Sequence, residues 1–128
     1  MNNCEKTLEA NKAVVRHFNQ AVIEEGDEVA FRELVAPDFI NRTTPAGGPS
    51  GPDGFLFTLV HVLRPALSDL SVEIHDQVAE GDKVTTRKTI RGNHTGELLG
   101  VPATGRPIAI AVIDIVRVKD GRYMEHWG

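Results

Sequence analysis

IAIAVIDIVRVKDGRYMEHWG, residues 108–128, is the stretch that decides the fold of this chain. Its β-branched residues lie on both sides of Asp120-Gly121, a dipeptide typical of tight hairpin turns. The pattern predicts a long strand, a short turn and a second strand that runs to Gly128. We expect the other elements of the chain to pack around this hairpin.

One charged residue, Asp114, interrupts the apolar run of the first strand. Period-two alternation places it on the same face as Ile110, Val112, Val116 and Val118. A carboxylate in such a row is costly to bury unless it is hydrogen-bonded, paired or protonated. We therefore expect Asp114 in the wall of a small-molecule pocket, with a raised carboxyl pKa suited to proton transfer.

The length of the turn decides which residue lies opposite Asp114. A two-residue loop at Asp120-Gly121 pairs Asp114 with Trp127, whereas a three-residue loop pairs it with His126. Both alternatives place an aromatic ring across the hairpin from the carboxylate. A structural role also stays open, in which Asp114 binds a backbone donor or an arginine such as Arg117 or Arg91.

Composition limits the class of protein. The chain has 128 residues, which fits a single domain over residues 1–128. Its 14 Lys and Arg residues are scattered among 18 Asp and Glu, with a net charge of −4, which argues against nucleic acid or an anionic membrane as partner. The sequence has no apolar run typical of a secretory signal or a membrane span. We expect a soluble, cytoplasmic protein.

The histidines and the cysteine do not form a metal-binding pattern. Cys4 is the single cysteine, which excludes an intrachain disulfide or a cysteine zinc cluster, and we expect it to be inert. The histidines lack H-x-x-x-H or H-x-H spacing, so no metal site is expected. They are His17, His61, His75, His94 and His126.

Helical patterns precede the strands. A first amphipathic helix is predicted from Leu8 to Glu24, and a second is capped by Asp27 and ended by Pro37. A loop rich in Gly and Pro, Thr43–Gly54, then leads into a third helix. The buried stripe of the second helix is expected to contain Val29, Ala30, Leu34 and Val35.

Period-two patterns follow the helices. One strand begins after Ser68-Asp69, turns at Glu80–Asp82 and is followed by a second strand from Lys83 to about Thr95. With the final hairpin this predicts an α+β fold of three N-terminal helices packed on a curved antiparallel sheet of about four main strands. The outer face of the long strand is also apolar, so we expect a homodimer or higher homo-oligomer. Its residues there are Ala109, Ala111, Ile113 and Ile115.

Two strings, RGNHTGELLGVPATGRP and DIVRVKDGRYMEHW, placed behind three helices, resemble the SnoaL-like polyketide cyclase family within the nuclear transport factor 2-like fold. The resemblance covers about Asn11 to Trp127. It implies an α+β cone that opens into an apolar cavity. It also implies an intramolecular aldol closure of a polyketide ester, carried out without metal or organic cofactor.

Position by position, the resemblance is partial. Asn41 matches an asparagine of the cyclase pocket, and His94 matches the histidine of a G-x-H-x-G string. Asp114 stands where the cyclases carry a histidine, and Gly128 stands where they carry the catalytic aspartate. The remaining departures are Phe18 in place of a tyrosine and Thr58 in place of a second asparagine.

With no acid at position 128, the resemblance leaves Asp114 as the expected proton-transfer residue, with His94 as its hydrogen-bond partner or a proton shuttle. The expected substrate contacts are Asn41, Phe18, Thr58, His126 and Trp127. Two alternatives are open: a non-catalytic protein that holds an apolar small molecule in the same cone, and a related isomerase or epoxide hydrolase. For the hydrolase, Asp76 and Arg91 are the candidate residues at a water site.

Overall fold

Helices form most of the first half of the chain. The computed structural model describes residues 3–128. Helix α1, Asn3–Phe18, continues through a π-helical segment, Asn19–Glu24, and α2 spans Glu28–Leu34. Helix α3 consists of three successive segments, Pro52–Leu56, the π-helical Phe57–Leu63, and Arg64–Ala66. The strands are β1 Val35–Asn41, β2 Leu67–Glu80, β3 Lys83–His94, β4 Pro107–Lys119 and β5 Arg122–Trp127.

The five strands form one sheet in the order β1-β5-β4-β3-β2. Strands β2 to β5 are antiparallel neighbours, whereas β1 runs parallel to β5 and pairs Asn41 with His126. The helices pack on one face of this sheet, and the α+β class is confirmed. Strand β1 is longer than the short extended piece at Phe39-Ile40 that the sequence indicates, because β5 supplies its hydrogen bonds from the far end of the chain.

Helix α2 begins as predicted but ends earlier. The Asp27 carboxylate accepts a hydrogen bond from the Ala30 N–H at 3.0 Å, which satisfies one of the free donors of the first turn. The helix ends at Leu34, so Pro37 lies inside β1. The predicted stripe is wrong at Val29, which is 70% exposed.

An aromatic cluster fills the core between the helices and the sheet. The Phe18 ring stacks on Tyr123 with centroids 4.2 Å apart and on Phe55 at 5.8 Å. Each such pair contributes roughly 0.5–1.5 kcal/mol beyond its buried area. Phe18 is buried by these contacts, so it occupies the core and not the predicted position at a substrate.

The β4–β5 hairpin differs from both predicted registers. Its turn has two residues, with Asp120 and Gly121 at φ of 52° and 76° and Lys119 paired with Arg122. Met124 is then an extra residue, because Val118 pairs with Tyr123 whereas Arg117 pairs with Glu125.

This bulge changes the partners along the rest of the hairpin. Val116 lies opposite His126 and Ile115 opposite Trp127, so neither predicted partner of Asp114 is correct. The bulge also turns Tyr123 and His126 to the same, inner face of the sheet. Simple alternation would put these two side chains, three residues apart, on opposite faces. His126 therefore reaches Asp114 diagonally rather than directly across the hairpin.

Candidate active site

A cavity of about 770 Å³ lies between the sheet, helix α3 and the loop that joins β1 to α3. The carbonyl of Pro49 in this loop packs directly against Gly54 of α3, where a Cβ would overlap with it. The cavity walls combine apolar and polar side chains. The apolar ones include Phe55, Phe57, Leu59 and Val112, and the polar ones include Asn41, Thr43, Asp53, Thr58 and His126.

His126 joins the cavity to a buried carboxylate. Its Nδ1 lies 3.0 Å from Asn41 Oδ1, and its Nε2 lies 3.3 Å from Asp114 Oδ2. The ring also packs against Phe55, with centroids 5.1 Å apart. Both nitrogens of the imidazole therefore face oxygen acceptors, and Asp114 lies one contact behind the cavity wall.

Lys88 completes a buried charged pair with Asp114. Its Nζ lies 3.1 Å from Asp114 Oδ2 and donates to Asn19 Oδ1 at 2.7 Å. Asn19 lies in the π-helical continuation of α1 and donates in turn to the Val15 carbonyl at 2.8 Å. A hydrogen-bonded chain thus runs from helix α1 through Lys88, Asp114 and His126 to the cavity.

Lys88 and Asn19 are absent from the site residues that the sequence predicts. The signal for Lys88 exists, because strict alternation along β3 places it inward between Thr86 and Ile90. Lys88 and Asp114 lie on the inner faces of the neighbouring strands β3 and β4, and this placement of opposite charges is the signal that predicts the pair. The arginines considered as partners of Asp114 bind elsewhere: Arg117 pairs with Glu125 and Arg91 with Glu73.

The predicted raised pKa of Asp114 is wrong. Burial raises the pKa of this carboxyl, but hydrogen bonds and charge interactions with His126 and Lys88 together lower it by more. The pKa therefore lies below its ordinary value of 3.8, and Asp114 is ionised at neutral pH. The pKa of the neighbouring Tyr123 hydroxyl is raised well above its ordinary value by burial and by the charge of Asp114.

Gly128 packs directly on Asp114. A Cβ at Gly128 would lie 2.6 Å from the Asp114 Cβ, and the glycine has a φ of 137°. Any side chain at this position, including the aspartate of the family pattern, requires that one of the two residues move. This arrangement therefore has room for the Asp114 side chain or for a carboxylate side chain at position 128, but not for both.

His94 lies far from Asp114. Asp114 is opposite Thr86 on β3, and the eight residues from Thr86 to His94 extend about 25 Å along the strand. The His94 Nδ1 lies 3.1 Å from Thr104 Oγ1, while its buried Nε2 has no hydrogen-bond partner within residues 3–128. The structure does not bring the two predicted catalytic residues together, because His94 ends β3 whereas Asp114 of β4 lies opposite Thr86, near the other end of β3.

The other predicted residues divide between the cavity and the rest of the molecule. Asn41, Thr58 and His126 line the cavity. Trp127 lies beside Ile115, whose row forms the outer face of the sheet. The proposed water site of an epoxide hydrolase does not form, because Asp76 pairs with Arg87 at the surface and Arg91 with Glu73.

Several features outside the cavity bear on the remaining predictions. Cys4 is exposed on α1. Within residues 3–128, no three side chains of His, Cys, Asp or Glu converge to form a metal site. Among the helices of the same residues, none is long and apolar enough to span a membrane. The expected absence of a metal or organic cofactor stays a prediction.

Comparison with known proteins identifies the class to which this fold and site belong. The model of the family described as SnoaL-like polyketide cyclase matches residues 13–128. The chain therefore belongs to the SnoaL-like polyketide cyclase family, and the resemblance seen in the sequence is confirmed.

Three of the similar proteins come from Streptomyces species. Aklanonic acid methyl ester cyclase DnrD of Streptomyces peucetius is 26% identical over 102 residues, which cover 78% of this chain and 69% of the relative. Nogalonic acid methyl ester cyclase of Streptomyces nogalater is 29% identical over 96 residues, covering 73% and 71%. The solved structure of TsrD from Streptomyces laurentii is similar, with a TM-score of 0.82 and 31% identity, covering 93% of this chain and 86% of TsrD.

Proposed function

We propose that this chain is an enzyme that closes a ring on an apolar, polyketide-like molecule by an intramolecular aldol reaction, without a cofactor. The observation that carries the proposal is the contact between His126, which lines the cavity, and the ionised Asp114 behind it. Membership of the family and the names of the relatives support the reaction class. The pair supplies the acid and the base that an aldol closure needs.

The proposed chemistry uses two proton transfers, one from the attacking carbon and one to the oxygen of the ketone that it attacks. Asp114 accepts the proton of a carbon acid activated by neighbouring carbonyl groups, and the resulting carbanion forms a carbon–carbon bond with a ketone carbon of the same molecule. His126 gives a proton to the ketone oxygen, which becomes the alcohol of the product. Asp114 then loses its proton to solvent and His126 Nδ1 takes one up from solvent, which restores the enzyme, so the product is an isomer of the substrate.

The unpartnered oxygen of Asp114 supports its role as proton acceptor. Oδ2 contacts both Lys88 and His126, whereas the buried Oδ1 has no hydrogen-bond partner among residues 3–128. An acceptor left unpaired in a buried site is costly, so it needs a donor in the working state. In this proposal Gly128, which lines the cavity and packs on Asp114, moves aside so that the carbon acid reaches Oδ1 and provides that proton. Asn41 and Thr58 contact polar groups of the substrate from the cavity wall.

Ring closure tests the proposal. Aklanonic acid methyl ester and nogalonic acid methyl ester, the compounds in the names of two relatives, are incubated with the protein, and isomeric products are followed by chromatography and mass spectrometry. We expect turnover of one of these esters or of a related polyketide ester. Asp114→Asn and His126→Gln should each lower kcat about 10²–10⁴-fold, the usual contribution of a positioned acid or base.

A matched control separates the site from a general effect of losing a histidine. His61 is exposed on α3 and does not line the cavity, so His61→Gln should retain wild-type turnover. Unchanged turnover in Asp114→Asn would remove the carboxylate from the mechanism, whatever the substrate.

The pairing of Asp114 with Lys88 favours one alternative function. A carboxylate that has a lowered pKa and pairs with a buried ammonium can also serve a purely structural role. The alternative is a non-catalytic protein that holds an apolar small molecule in the same cavity. It predicts ligand binding that survives in Asp114→Asn, with no turnover of any ester by the wild type.

The outer face of the sheet supports a proposed assembly. Ile113 and Val78 are 63% and 68% exposed there, and Ala109 and Ala111 continue the patch. We propose that a second copy of the chain covers this face. Sedimentation velocity should show a dimer or higher oligomer that Ile113→Lys dissociates, and a wild-type monomer at all concentrations would contradict the assembly.

A further inference from the structure

The orientation of the Asn41 amide is fixed by its neighbour in the loop. The backbone N–H of Thr43 donates to Asn41 Oδ1 at 3.2 Å, and the Thr43 hydroxyl lies 2.7 Å from the same oxygen. With the amide reversed, an NH₂ group would face a backbone N–H, and two donors would meet. The oxygen of Asn41, and not its nitrogen, is therefore turned towards His126.

This orientation decides which form of His126 can donate to both of its partners. Its Nδ1 faces the Asn41 oxygen and its Nε2 faces the Asp114 carboxylate. A neutral imidazole donates from one nitrogen and accepts at the other, so it would leave one lone pair against an oxygen. Only the doubly protonated imidazolium donates to both partners.

The Asn41 oxygen has more donors than it can satisfy. The Thr43 N–H, the Thr43 hydroxyl and the His126 Nδ1–H all point to an oxygen with two lone pairs. Because Asn41, Thr43 and His126 all line the cavity, a ligand oxygen can take the Nδ1–H. Asn41 then keeps its two bonds from Thr43 and is left satisfied.

Charge at the base of the cavity favours an anionic oxygen there. With His126 protonated, the side chains of Lys88, Asp114 and His126 hold two cations and one anion, a net positive charge of one among these three. The buried Tyr123 hydroxyl stays neutral because its pKa is raised. Asp53 of α3 is the carboxylate at the cavity rim, but its side chain is 89% exposed and paired with Arg32. Solvent screens that pair from the buried cluster.

We infer that the cavity contains an oxyanion site in which the Nδ1–H of a cationic His126 binds an anionic oxygen carried on an apolar body, such as an enolate or a carboxylate. Phe55, Phe57 and Leu59 provide the apolar contacts. The inference rests on and deepens the proposed function, because an enolate is the anion that forms when the carbon acid of the substrate loses its proton. It nevertheless concerns binding, and it does not need turnover.

Two matched pairs of probes test the inference by calorimetry at pH 7. The pair 1-naphthoate and 1-naphthamide differs only in the carboxylate. The pair 2-phenylindane-1,3-dione and its 2-methyl derivative differs in the ability to form an enolate. We expect the anionic member of at least one pair to bind about tenfold more tightly than its neutral partner, a difference of about 1.4 kcal/mol.

Two variants test whether the preference for the anionic probe depends on His126. His126→Gln should bind both members of a pair equally, whereas His61→Gln, which removes an exposed histidine of α3, should keep the wild-type preference. A preference for the dione pair alone identifies an enolate site, and a preference for the naphthalene pair alone identifies a carboxylate site. Equal affinity for both members of both pairs in the wild type would overturn the inference.

A second measurement does not depend on a ligand or a folded variant. ¹⁵N NMR of the wild-type imidazole at pH 7 should show protons on both Nδ1 and Nε2 of His126. A single protonated nitrogen would overturn the inference. An anion preference without ring closure would contradict only the proposed function, and ring closure without an anion preference would contradict only the oxyanion site.

Discussion

Lys88 Nζ lies 3.1 Å from Asp114 Oδ2, and the two side chains are only 5% and 6% exposed. Removing one partner of such a pair leaves a buried charge without compensation, which typically costs about 3–5 kcal/mol. Because His126 still contacts Asp114 in Lys88→Met, we expect this variant to lower the free energy of unfolding by up to this amount, measured by urea denaturation. In Lys88→Met/Asp114→Asn the charge is removed on both sides, so most of the loss should be recovered.

An exposed ion pair provides the control for this prediction. Lys12 contacts Glu9 at 3.3 Å on the surface of α1, where an ion pair is worth roughly 0.2–1 kcal/mol. Lys12→Met should therefore change stability by less than about 1 kcal/mol. A Lys88→Met variant as stable as Lys12→Met would contradict the strength assigned to the buried pair.

Asp114 should also make stability depend on acid pH. Its pKa in the folded protein lies below 3.8, so the ionised form stabilises the fold at pH values above the unfolded pKa. This contribution is lost as the pH falls through the folded pKa. The difference in unfolding free energy between the wild type and Asp114→Asn should shrink as the pH falls below about pH 4. Parallel curves from pH 6 to pH 2 would contradict the lowered pKa.

Two glycines at the start of α3 provide a matched test of how the cavity loop is held. A Cβ at Gly54 would overlap with the Pro49 carbonyl, whereas a Cβ at Gly51 meets nothing within 4 Å. Gly54→Ala should push the loop from the helix, lower stability by about 1–3 kcal/mol and weaken ligand binding in the cavity. Gly51→Ala should stay within about 0.5 kcal/mol of the wild type. Equal effects of the two changes would show that the contact with Pro49 does not hold the loop.

Local patterns in the sequence predict much of this fold. The apolar alternation of β4, the turn at Asp120-Gly121 and the cap at Asp27 depend on residues close in the chain, and the structure contains all three. The α+β class follows from their order along the chain. The resemblance of the strings around His94 and His126 to one family is likewise confirmed.

The composition of the site depends on contacts that local patterns do not contain. The bulge at Met124 has no Gly or Pro signal, yet it alone turns His126 and Tyr123 to the same face. The pKa of Asp114 could not be predicted without Lys88, because burial alone would have raised it. The expected pairing of Asp114 with His94 does not form, because Asp114 lies opposite Thr86, eight residues along β3 from His94. A family motif contains no information on this distance.

Proton abstraction from carbon is the step that tests the role of Asp114 and His126 most directly. Exchange of the acidic carbon-bound protons of an aryl β-keto methyl ester with D₂O can be followed by ¹H NMR, with the rate in buffer subtracted. We expect the wild type to accelerate the exchange and Asp114→Asn to lose about 10²–10⁴-fold of that acceleration, with His61→Gln unchanged. Exchange by the wild type at the rate of buffer, or undiminished exchange by Asp114→Asn, would contradict the assignment of Asp114 as the base.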